Sequence, residues 1–120
     1  MVSPKAYNRD DVQQMIDLKL SLEGIDLRGT DLSGMNLAGQ ILADAKLAET
    51  NLRGADLRAS DLRNASLWNA DLSGARLDNC NLEGADLDMA KMEGATLRDA
   101  RVPKPSSRAN MSARRSSSRP

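Results

Sequence analysis

The chain predicts an all-β solenoid, a parallel β-helix of about four coils, and three observations carry that expectation. From Leu22 to Leu97 a leucine stands at every fifth residue, with Met92 as the single substitute among sixteen positions. All eight glycines fall two residues after one of these centres. Within Leu20 to Val102, charged residues that stand twenty apart are of opposite sign. A five-residue period fits neither a helix of ~3.6 residues per turn nor the two-residue alternation of a strand. The chain must therefore turn a corner after each short extended piece and set one leucine per piece on an inner wall.

Residues 1–19 read as a lead-in followed by a short helix. Asn8 is its N-cap, Asp10 and Asp11 occupy the first turn, and Val12, Met15 and Ile16 share one face. Such a helix would act as a cap, because a stack of coils otherwise ends in bare apolar side chains and unpaired backbone groups.

Residues 20–102 form the repeat. Two residues before each centre the side chain is mostly small, as at Ala45, Ala55, Ala65, Ala70 and Cys80, which suits a narrow coil with space for one large and one small inward side chain per face. Leu20, Ile25, Met35 and Gln40 are larger and lie at the N-terminal end, where the helix is expected to accommodate them. One residue before the centre Asp or Asn recurs, at Asp26, Asp31, Asn36, Asn51, Asp56, Asp61, Asp71, Asn81 and Asp86, and these side chains can bond local backbone at a turn. The glycines share their slot with Asn64, Asn69, Asn79, Asp44 and Asp99, all tolerant of positive φ, so a corner of type II is expected there. Glu49, Ala59 and Met89 depart from that chemistry and predict another turn type.

Charge sets the number of pentads per coil, since residues stacked one coil apart lie ~4.8 Å from each other and like charges there repel. A spacing of twenty pairs Asp26 with Lys46, Asp56 with Arg76, Arg58 with Asp78, Arg63 with Glu83, Asp71 with Lys91, and Asp78 with Arg98, and within the repeat it stacks no like charges. A spacing of fifteen would stack Asp56 on Asp71 and Arg76 on Lys91; a spacing of twenty-five would stack Arg28 on Arg53 and Asp31 on Asp56. Four pentads per coil follows.

Ala70-Asp71-Leu72-Ser73-Gly74 in full, and Ala55-Asp56-Leu57-Arg58 and Ala85-Asp86-Leu87 in part, resemble the A(D/N)LxG signature of the pentapeptide-repeat family. The resemblance implies that family's right-handed quadrilateral β-helix, with four five-residue faces to a coil. Gln40 to Asp44 and Ala45 to Glu49 depart from the signature, lacking both the Asp or Asn before leucine and the glycine after it. Some members imitate duplex DNA and engage type II topoisomerases such as gyrase, which the resemblance brings in as an alternative function. Interleaved arginines and a net charge of minus five over Leu20 to Val102, from fourteen acids and nine bases, argue against it, because DNA presents one charge per ~1.7 Å of axis.

Composition excludes other classes. With 2% aromatic residues and no phenylalanine the core must be aliphatic. There is no histidine, and the single cysteine, Cys80, sits at an inward small-residue slot, so neither catalysis nor a cofactor or metal is expected. No apolar run suits a secretion signal or a membrane span, which makes a cytoplasmic location the default. Residues 103–120 are Ser/Arg-rich with five bases and no acid; they read as a disordered tail whose Arg108, Arg114, Arg115 and Arg119 could meet nucleic acid or another anionic surface.

The sequence thus predicts a non-catalytic protein–protein interaction or scaffold module. Trp68 follows a centre and should point outward, as should Ile41, Ala43 and Ala48, giving an apolar contact area for an unidentified protein partner. Arg28 and Asp88 belong to the same column as Ala48 and Trp68. An uncovered last coil near Ala100 could pair end to end with a second copy.

Overall fold

The computed structural model describes residues 7–103. Helix α1 spans Arg9–Asp17 and begins at Asn8, whose side chain accepts the Asp11 N–H at 2.9 Å while the Asp11 carboxylate accepts the Asn8 N–H at 3.0 Å. This reciprocal pair satisfies donors that the first helical turn leaves open. Lys19 ends the helix at φ 60, with its N–H on the Ile16 carbonyl and the Leu20 N–H on the Met15 carbonyl. That is a Schellman closure made by a lysine where glycine is the usual choice. α1 lays Val12, fully buried, and the half-buried Met15 and Ile16 against the core. At the other end of the helix the Arg9 guanidinium donates to the Ser33 carbonyl at 3.0 Å, and the Thr30 hydroxyl donates to the Tyr7 carbonyl.

From Leu22 onward the chain winds in four-pentad coils. Twelve parallel bridges join residues twenty apart, from Asp26 with Lys46 to Asn81 with Arg101. No extended strand forms among the described residues: from Asp26 onward each pentad contributes a single bridged residue before it turns. The four faces are named by their centres, the first by Leu22, Leu42, Leu62 and Leu82, the second by Leu27, Leu47, Leu67 and Leu87, the third by Leu32, Leu52, Leu72 and Met92, the fourth by Leu37, Leu57, Leu77 and Leu97.

Backbone bonding explains the repeat residue by residue. In the pentad around Leu47, the centre N–H donates to Ser66 one coil on, the Glu49 N–H to Trp68, and the Lys46 N–H back to Ile25. The Ala45 N–H closes the preceding corner on the Leu42 carbonyl. Only the N–H following the centre has no backbone acceptor, and this is what Asp and Asn are for: all nine such residues before a centre accept it, as in Asp56 Oδ1 from the Arg58 N–H at 3.1 Å. Where Ile41, Lys46 or Ser66 takes that place, the N–H of Ala43, Ala48 or Trp68 finds no acceptor among the described residues.

Two expectations about corners and bulk are corrected. All sixteen corners are the same, each closed by an i+3 N–H to i carbonyl bond with positive φ at i+2, and Glu49 (φ 60), Ala59 (φ 60) and Met89 (φ 63) conform. Bonds to the next coil hold Glu49 and Ala59 there, on Trp68 and Asp78 respectively, so the ladder overrides local preference at the ~1–2 kcal/mol such a conformation costs an L-residue. Of the bulky N-terminal residues, Ile25 and Met35 are buried in the core, but Leu20 is half exposed because the Schellman closure delivers it before the first inner wall begins.

The core is a column of leucines, essentially inaccessible from Leu22 to Leu82, with alanines beside them. Inward polar side chains are satisfied: the Thr50 hydroxyl donates to the Leu27 carbonyl at 3.0 Å and the Ser60 hydroxyl to the Leu57 carbonyl at 2.6 Å, within 3.4 Å of Cys80 Sγ.

Candidate functional site

The outer surface is organised by its ion pairs. Twenty-residue stacking is confirmed by the bridges, yet the six cross-coil pairs it suggested are not the close ones. Arginines instead fold back onto the aspartate of their own pentad, Arg28 on Asp26 at 2.6 Å, Arg58 on Asp56 at 2.7 Å and Arg63 on Asp61 at 2.8 Å, each through two nitrogens. The two side chains leave the same face two residues apart, and the aspartate meets the guanidinium fork with both oxygens, the strong bidentate form of such a pair. The Arg58 guanidinium holds the Asp56 carboxyl at about 2, and Arg28 does the same to Asp26. Asp61 is lowered by Arg63, and Asp71 chiefly by the Ser73 hydroxyl and N–H. Arg53 reaches Asp71 at 3.2 Å and Arg101 reaches Glu83 at 3.7 Å across coils.

Trp68 stands on the second face at 43% exposure, in the column that runs Arg28, Ala48, Trp68, Asp88. Ala48 beneath it is half-buried, and Asp88 above has its N–H fixed on Asp86 Oδ1 at 3.0 Å. Arg28 heads the column but is held by Asp26, two coils from the indole. Glu49, Asp86 and Asp88 belong to the same face as Trp68 and have no basic partner within ion-pair distance among the described residues.

Ile41, nearly half exposed, belongs to the first face rather than the second. It lines an open depression of about 350 Å³ with Ile16, Leu20, Gly39 and Gln40, where the end of α1 meets the coils. Ala43 does not point to solvent as expected: its single methyl is buried, because in its column it lies between the longer Glu23 and Arg63. Sequence reasoning also missed that groove, since Ile16 reads as a core residue and Leu20 as an inner-wall one.

Cys80 is buried, and burial raises its thiol pKa, which keeps it protonated and unreactive. No cluster of metal-ligating side chains forms among the described residues, and none of their helices is long and apolar enough to cross a membrane. Arg108, Arg114, Arg115 and Arg119 lie outside the described residues.

The family model for pentapeptide repeats matches residues 21–58 and 60–99. Among solved structures, the chain is similar to HetL, a pentapeptide repeat protein involved in heterocyst differentiation regulation from the cyanobacterium Nostoc sp. strain PCC 7120. Identity is 36%, over 72% of this chain and 40% of that one, at a TM-score of 0.68. It is also similar to alr5209, a pentapeptide repeat protein of Nostoc PCC 7120, at 30% identity over 86% of this chain and 92% of that one, with a TM-score of 0.52. No curated protein matches significantly. The chain spans two fifths of the length of HetL.

Proposed function

The chain belongs to the pentapeptide-repeat family, whose members are generally non-catalytic, and from that premise we propose that it is a protein–protein interaction module that works from the cytoplasm. Its division is 1–19 as lead-in and cap, 20–102 as a right-handed quadrilateral β-helix, and 103–120 as a basic tail. The observation that carries this reading is Trp68: the chain's single tryptophan, two-fifths exposed on a wall of the solenoid whose Glu49, Asp86 and Asp88 have no ion-pair partner among the described residues. A large aromatic held without entropy loss is the ordinary anchor of an interface. Asp88, with Arg28 at the far end of the column, would set the polar rim, and Ile41 at the α1 groove would supply a separate contact. HetL's part in regulating differentiation is in keeping with a role exercised by binding, although only part of that protein is represented here.

Imitation of DNA before a type II topoisomerase is the weaker reading. The arginines of the Asp26, Asp56 and Asp61 pairs neutralise the carboxylates that would have to stand in for phosphates. Binding of an anionic surface by the tail is a third reading, independent of the coils. Captured proteins from the source organism, compared between wild type and Trp68→Ala, test the principal one: loss of a specific partner is expected, and an unchanged set removes Trp68 from the interface. Gyrase supercoiling inhibited at low stoichiometry would reverse the ranking.

A further inference from the structure

The second face carries two large apolar side chains in the open. Trp68 is one, and Met89, one coil on and one column over, is 69% exposed. From Lys46 upward the charges of this face are Glu49, Asp86 and Asp88 against Lys46 alone, and none of the four lies within ion-pair distance of an opposite charge among the described residues. An indole and a thioether set among acids call for an occupant that is basic and brings an apolar side chain of its own.

The chain supplies such a segment. Residues 103–120 hold five bases and no acid, and their single large apolar residue, Met111, lies between Arg108 and Arg114. The last described residues point the segment at this wall. Arg101 bridges Asn81 on the first face and Pro103 takes the slot above Glu83, so the chain departs at the corner that leads, in every earlier coil, onto the second face. Five residues carry it from Glu83 through the Gly84 corner to Asp88, and five carry it from Pro103 to Arg108. The first face is nearer still, but its last acid, Glu83, is matched by Arg101 and Asp61 is matched by Arg63, while Asp44 and Glu23 lie two coils or more below Glu83.

We propose that the chain beyond Pro103 folds back along the second face of its own solenoid, with Arg108 on Asp86 and Asp88, Met111 over the Trp68 indole, and Arg114 and Arg115 at Glu49. The lengths agree. From Asp88 down to Glu49 is a descent of two coils, ~10 Å at the spacing of paired strands, and the six residues from Arg108 to Arg114 span up to ~20 Å. A thioether against an indole is a favourable contact, and the arginines add attraction to the three carboxylates. Attachment through a few residues holds the segment at a millimolar effective concentration, far above what a second copy's tail reaches in a micromolar solution. A partner for this wall must then displace the tail, or a stronger anion must first draw it off. The docking itself needs no partner; that it masks an interface rests on the Trp68 reading.

Because Trp68 is the only tryptophan, fluorescence of the full chain reads this wall directly. At low salt, acrylamide is expected to quench wild type about twofold less than a full-length variant carrying Arg108→Ser, Arg114→Ser, Arg115→Ser and Arg119→Ser, since a tethered segment near its dissociation constant is docked half of the time. Asp86→Asn with Asp88→Asn should raise quenching to the same level. Asparagine at 86 keeps an acceptor for the following N–H, as Asn81 does for Glu83, so the pentad stands. The two sets break one contact, and combining them should add nothing further. At ~1 M salt, where charges more than ~3 Å apart are screened, wild type should reach the value of the variants. Equal quenching of wild type and the arginine variant at low salt overturns the proposal, and so does an acid variant that stays at the wild-type value. Shielding that fades on dilution would put a second copy's tail on the wall and overturns the contact within one chain. An unchanged set of partners captured by Trp68→Ala removes the interface reading and leaves each of these outcomes as it is.

Discussion

The third coil and the fourth are built from the same pentad yet stand differently. Leu62, Leu67, Leu72 and Leu77 are inaccessible, with coils on both sides. Leu87, Met92 and Leu97 fill the same slots with the same corners but are only partly buried. The leucine period fixes direction, inward, while neighbours one coil away on each side fix burial; a pentad is stable only as a member of a stack.

The sharpest break of this comparison is Leu67→Ala against Leu97→Ala. The first should cost about 2–5 kcal/mol in urea denaturation, as a buried leucine leaving a cavity does. The second should cost the monomer about 1 kcal/mol, because Leu97 removes less area from water. Equal losses would mean that the last coil is as covered as the third. Next in size is the helical end, which has what the open end lacks: Val12→Ala should cost about 2 kcal/mol and Asn8→Ala about 1 kcal/mol, with faster exchange at the amides of the first coil as the local readout. Ala59→Gly sharpens the comparison of corners. It should raise stability by about 0.5–1 kcal/mol, since relief of a left-handed alanine outweighs the added freedom of the unfolded chain. The smallest effect is titration. Asp56 falls from an ordinary 3.8 to about 2 in the folded chain, so its contribution is complete above the unfolded value and is lost as pH drops from about 4 towards 2. Asp56→Asn keeps an acceptor for the Arg58 N–H but removes the ion pair; its acid unfolding curve should be flatter over that interval than the wild type's.

The coil itself was legible in the sequence because one period governs every residue in it. The inward leucine, the small residue beside it and the Asp or Asn before it each answer to a separate physical demand, and all repeat in step. The twenty-residue stack was visible from charge alone, although its reason lay elsewhere: Asp26, Asp56 and Asp61 take arginines of their own pentads, a two-residue relation that column counting does not test. Corners at Glu49 and Ala59 were misjudged because local φ preference is weaker than bonds to the adjoining coil, and the Met89 corner keeps the same φ with its own i+3 bond alone, from the Ala90 N–H to the Leu87 carbonyl. The surface was least legible. Ala43 and Ile41 both flank the centre Leu42, yet one is buried under its column neighbours and the other opens onto the α1 groove. Such outcomes depend on side-chain length one coil away and on where a helix docks, neither of which periodicity records.

Uniform corners have a consequence for how such a chain can change in length. Since every pentad meets its neighbours through the same backbone bonds, twenty residues could be added between Leu47 and Leu67 and leave each wall continuous, with α1 and the indole of Trp68 simply farther apart. Adding five would instead swing everything downstream through a quarter turn about the long axis, so that the tryptophan faced a new direction relative to the helix while the interior went on as before.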